Sequence, residues 1–135
     1  MKSSKAPFFL FSLIVIFSLS SFTTDVLFNK WEKLGERRVN LGIDHDRILV
    51  GSRDGVFSKL KIIIKNSGIN MHKMEVHFGN GEKQEIEIRE EIQKGGESRV
   101  IDLRGNRRVI TKVDFWYDTK GLINNKAVVE LWGKH

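Results

Sequence analysis

The stretch "LKIIIKNSGINMHKMEVHFGNGEKQEIEIR", residues 60–89, decides the fold class, because its apolar residues recur at every second position and its interruptions are turns. Leu60, Ile62 and Ile64 alternate up to Asn66-Ser67-Gly68. Met74, Val76 and Phe78 alternate up to Gly79-Asn80-Gly81, and Ile86 and Ile88 follow. A strand sends successive side chains to opposite faces, so each run reads as a half-buried strand with one apolar face. The triplets between them hold the residue types that turn most readily.

The same reading extends in both directions. Towards the N-terminus "LGERRVNL" (34–41) and "DRILV" (46–50) add two strands. Towards the C-terminus "VIDL" (100–103), "VITKVDFWY" (109–117) and "AVVELW" (127–132) are apolar on consecutive positions, as central strands covered on both faces are. Only "REEIQKGG" (89–96) offers a helical turn, cut short by Gly95-Gly96. About eight short strands in one small chain predict an all-β antiparallel β-sandwich, jelly-roll or immunoglobulin-like in outline. The pattern does not set the strand order.

A chain of 135 residues with 40% hydrophobic residues is long enough for one core and too apolar for a disordered segment. Cysteine is absent, which excludes a disulfide framework, a thiolate nucleophile and a lipid-modified N-terminal cysteine. Lys2 and Lys5 precede an apolar run from Ala6 to Leu19, and small residues follow in "SLSSFTT" (18–24). That order predicts a secretory signal peptide over 1–20, a short leader over 21–30 and a single domain over 31–135, secreted or periplasmic. The apolar run is shorter than the roughly 20 residues that span a bilayer, so no membrane span is expected once the signal is removed. A cut there removes two lysines and no acid from a formal net charge of +6, which leaves too weak a basic field for nucleic acid.

Positive charge concentrates in "SRVIDLRGNRRVITKVDFWY" (98–117) as Arg99, Arg104, Arg107, Arg108 and Lys112. Gly105-Asn106 has the chemistry of a two-residue hairpin turn, which would set Arg104 opposite Arg107 and Arg99 opposite Lys112. Like charges facing each other need anions nearby. Those anions are either the chain's own Asp102, Asp114 and Glu97, so that the arginines serve the fold, or a carboxylate, phosphate or sulfate on a partner. In the same stretch Phe115 and Tyr117 share one face and Trp116 takes the other, among charges. Trp116 is then either a stacking platform for a sugar or the cover of a central strand. Trp132 alternates with Glu130, while Trp31 reads as the plug of one end of the sandwich.

Catalytic and metal constellations are weak. Asp44-His45-Asp46 reads as a turn, and His72 and His77, five apart, point to opposite faces of a regular extended strand and share no ion without a bulge. No metal site, cofactor or catalytic residue is predicted. No nucleophile elbow or phosphate-binding glycine loop occurs. The expectation is therefore a non-enzymatic binding module for an anionic polymer, a glycan or an envelope protein, with Arg99, Arg104, Arg107, Arg108, Lys112 and Trp116 as its contact residues. The alternatives are a glycan hydrolase with Asp114 and Glu130 as its carboxylate pair, or a structural subunit of a surface assembly.

The order of parts resembles a small family of secreted bacterial proteins that carry a domain of unknown function. The residues that carry the resemblance are "WEKLGERRV" (31–39), "LKIIIKNSGINMHKMEVHFGNGEKQEI" (60–86), "GGESRVIDLRGNRRVITKVDFWY" (95–117) and "AVVELWG" (127–133). The resemblance implies an exported β-rich domain and brings no catalytic or binding residues with it.

Overall fold

The computed structural model describes residues 30–39, 45–51, 54–119 and 126–135, so the expected signal segment and all but the end of the leader lie outside the described residues. The chain divides into Met1–Lys30 and Trp31–His135, and the strands among the described residues belong to the second unit. These strands are β1 (Trp31–Arg38), β2 (His45–Leu49), β3 (Val56–Phe57), β4 (Lys59–Lys65), β5 (Ile69–Phe78), β6 (Lys83–Ile92), β7 (Ile101–Asp102), β8 (Arg108–Asp118) and β9 (Val128–Lys134). Among the described residues no helix is long and apolar enough to cross a membrane.

The protein is an all-β sandwich of two antiparallel sheets. One runs β1-β9-β4-β7; the other runs β2-β8-β5-β6, with β3 pairing β8 beyond the end of β2. The alternating runs become β4, β5 and β6, and their apolar faces meet. Leu60, Ile62, Ile64, Val129 and Leu131 from the first sheet pack in one buried cluster with Met74, Val76, Val113, Phe115 and Tyr117 from the second. Of the three consecutively apolar runs, two become β8 and β9, each flanked on both sides, whereas "VIDL" forms the edge strand β7 and not the central strand expected of it. Close approach needs glycine at one point: a Cβ on Gly133 would lie 2.8 Å from both Leu34 Cδ1 and Phe57 Cδ1, so the bare backbone of β9 makes room for both side chains.

Two expectations change. Residues 98–117 are not a hairpin: β7 pairs with β4 on the edge of the four-stranded sheet, whereas β8 lies inside the other. Gly105-Asn106 therefore turns a crossing from one sheet to the other. Leu103 accepts a bond from the Asn106 amide at 3.2 Å, and Gly105 (φ 81°) and Asn106 (φ 72°) take left-handed conformations. Turn chemistry is the same for a hairpin and a crossing, and what distinguishes them is the bonding of β7 and Leu103 to the edge of the first sheet. The helical turn predicted within residues 89–96 is absent as well. Residues 89–92 continue β6, Arg89 takes φ 49°, and Ile88 and Ile92 both enter the core, a spacing of four that a strand satisfies as well as a helix.

Side chains seal the two flanks of the sandwich. Gln84 on β6, nearly buried, donates to the Asp102 carbonyl at 3.1 Å and accepts from the Arg104 amide at 2.9 Å, which ties the crossing to β6. On the other flank Arg37 of β1 donates to Asp46 of β2 at 2.9 Å. Edges held in this way are less open to pairing with another chain.

Candidate functional site

The six residues predicted as one contact surface fall into three places. Arg99 is a clasp: its guanidinium donates to the Ile88 carbonyl at 2.8 Å and the Glu87 carbonyl at 2.5 Å, and Glu90 Oε2 lies 3.8 Å away. These carbonyls lie beside the left-handed Arg89, where β6 departs from its ladder with β5. The charge of Arg99 is spent on the backbone.

Arg104, Arg107 and Arg108 share the crossing. Arg108 lies over the Phe78 ring, its guanidinium carbon 3.8 Å from the centroid, and donates to the Arg104 carbonyl (2.9 Å), Asn80 Oδ1 (3.1 Å) and Glu82 Oε1 (2.8 Å). Only 16% of its side chain is exposed. The hydrogen bond from Asn80 and the charge of Arg108 hold the Glu82 carboxyl below its usual range. Arg104 and Arg107 are exposed, and among the described residues neither guanidinium makes a hydrogen bond or ion pair. Arg107 borders an open groove of about 590 Å³, lined also by Val56, Gly79, Asn80, Arg108, Val109 and Thr111.

Lys112 and Trp116 belong to the outer face of the five-stranded sheet. Trp116 is flanked by its two cross-strand neighbours. His45 of β2 stacks on it at 4.6 Å between centroids, and the Lys73 ammonium of β5 lies 4.5 Å from the ring centre. Sugar stacking uses an open ring face, and these neighbours leave Trp116 little of one. Trp31, expected as an end plug, instead lies beneath the Lys61 ammonium at 4.5 Å.

One row along, Arg47, Asp114, Glu75 and Glu85 stand opposite one another in register on β2, β8, β5 and β6. Arg47 grips Asp114 with two bonds, 2.6 Å to Oδ1 and 3.1 Å to Oδ2. Burial would raise the Asp114 carboxyl, but the bonds and charge of Arg47, with His45 and His77 adding to them, hold it below the usual carboxylate range. His77, two residues from Glu75 on β5, turns Nε2 towards the same place. Sequence reading missed this row because Arg47, Asp114 and Glu75 come into line only through the register of three strands; the Glu75/His77 spacing of two was its visible trace.

Asp114 and Glu130, the carboxylates considered as a hydrolytic pair, do not share a cleft. Asp114 faces outward from the five-stranded sheet. Glu130 stands on the four-stranded one, where it accepts from Trp132 Nε1 at 3.0 Å and pairs with Lys33 at 3.2 Å.

The chain belongs to the family described as "Domain of unknown function (DUF2541)", which matches residues 9–133. No curated protein matches the chain. Among solved structures it is similar to AlgX of Pseudomonas aeruginosa, at 14% identity and a TM-score of 0.51, covering 77% of this chain and 27% of that one. It is also similar to the STIV MCP, at 8% identity and a TM-score of 0.52, covering 78% of this chain and 47% of the other. The chain thus spans less than half the length of either relative, and at these identities the likeness is one of fold alone.

Proposed function

We propose that this protein is an exported, non-enzymatic module that binds an anionic polymer at the crossing between its two sheets, through Arg104 and Arg107. One observation supports this reading above the others. Of the four arginines in the stretch, two are consumed by carbonyls, a carboxylate and an aromatic ring, while Arg104 and Arg107 hold unpaired guanidinium groups on the crossing, Arg107 at the edge of an open groove. Guanidinium binds carboxylate, phosphate and sulfate in a planar fork, and a groove with an apolar floor lowers the local dielectric around such a contact. Export rests on the N-terminal residues, with Lys2 and Lys5 ahead of an apolar run.

The test is retention of the full chain on an immobilised carboxylated polysaccharide and on a sulfated one, at low and high salt, beside an Arg104→Ser/Arg107→Ser variant. Retention that falls with salt and disappears in the variant is the expected result. Equal retention of both proteins, or none of either, would overturn it.

A further inference from the structure

The geometry points to a site for a divalent transition-metal ion on the outer face of the five-stranded sheet, formed by His77, Glu75 and Asp114. Glu75 and His77 project from the same face of β5, two residues apart, and Asp114 stands directly opposite Glu75 on β8. A donor atom from each lies within 4.8 Å of the other two.

His77 carries the argument. Its Nε2 is fully enclosed, 2.9 Å from Glu75 Oε1 and 3.2 Å from Asp114 Oδ2, yet it makes a hydrogen bond to neither. A buried ring nitrogen that lies close to two carboxylate oxygens and bonds to neither keeps its lone pair for a metal ion. His72 on the same strand shows the contrast, since its Nε2 makes a direct 2.6 Å bond to Asp118.

The spacing selects the ion. Bonds of about 2.0–2.2 Å from nitrogen and carboxylate oxygen to zinc put tetrahedral ligands roughly 3.3 Å apart, close to the separations at His77. Calcium takes six to eight oxygens at about 2.3–2.6 Å and has no use for imidazole, so it fits poorly. Arg47 holds both oxygens of Asp114 from the β2 side and so orients the carboxylate from outside the ligand set. Each oxygen keeps a second lone pair for the ion.

Tag-free full chain titrated with Zn2+ and separately with Ca2+ by calorimetry, with thermal melts in parallel, tests this. One saturable equivalent of Zn2+, a raised melting temperature and no comparable response to Ca2+ are expected. His77→Ala should weaken Zn2+ binding by more than about 100-fold, beyond the 10–100-fold typical of an orienting partner, while His72→Ala leaves it unchanged. Glu75→Gln, which keeps size and strand, decides the matter if His77→Ala does not fold, and should also weaken binding. Absence of saturable Zn2+ binding, or binding unaltered in His77→Ala or Glu75→Gln, overturns the site. Because polyanion retention is read on Arg104 and Arg107, either site can fail alone.

Discussion

Arg107 and Arg108 are neighbours in sequence with identical side chains, and they differ in every physical respect. Arg108 lies flat on Phe78 and closes three hydrogen bonds around the start of β8. Arg107 stands in solvent at the lip of a groove. The same division separates Arg99, clasped to two carbonyls of β6, from Arg104. A run of basic residues is therefore no unit of function. What decides each member's role is whether carbonyls, carboxylates or rings lie within reach of its stem.

The largest effect that would break this comparison is expected at Arg108. Arg108→Ala removes a cation–π contact and three charge-assisted bonds, and should cost about 2 kcal/mol. For a domain of this size that lowers the melting temperature by roughly 4–8 °C per kcal/mol, measured by thermal denaturation. Gly105→Ala sharpens the same point. At φ 81° its Cβ would lie 3.1 Å from Arg108 Cδ and Nη1, so it should cost about 1 kcal/mol or more. Part of that loss should vanish in the Arg108→Ala background, as a double-mutant cycle would reveal. Arg99→Ala, which releases two carbonyls able to turn to water, should cost about 1 kcal/mol.

A smaller effect concerns Asp114. Its folded-state pKa is depressed, so the stability it contributes is complete above its ordinary value of 3.8 and is lost as pH falls through the lower folded value. Urea melts of the unmodified chain should therefore weaken on acidification below about pH 4 more than those of Asp114→Asn. Identical acid profiles would show that Arg47 does not hold the carboxylate ionised. Smallest of all is the change in stability from Arg104→Ser/Arg107→Ser, expected within about 0.5 kcal/mol because no contact is lost.

The sandwich was legible where burial imposes period two, in Leu60, Ile62 and Ile64 or Met74, Val76 and Phe78, since no other element alternates in that way. The partner of β7 was not legible. Ile101 and Leu103 need an apolar face, and both sheets offer one, so the choice rests on edge bonds such as Leu103 to the Ser58 carbonyl at 2.9 Å. The arginines were legible as a feature and not as a site, because an Arg108 on an aromatic ring and an Arg107 in water look alike in one dimension. The outer-face row of Arg47, Asp114 and Glu75 joins residues from three strands and exists only through register.

The most direct measurement is the salt dependence of affinity for one defined polyanion, taken on the unmodified chain, on Arg99→Ala and on the Arg104→Ser/Arg107→Ser variant. If Arg104 and Arg107 serve a partner while Arg99 serves the fold, the double substitution flattens the dependence and Arg99→Ala leaves it intact. A dependence that flattens equally in both variants, or in neither, would contradict the division.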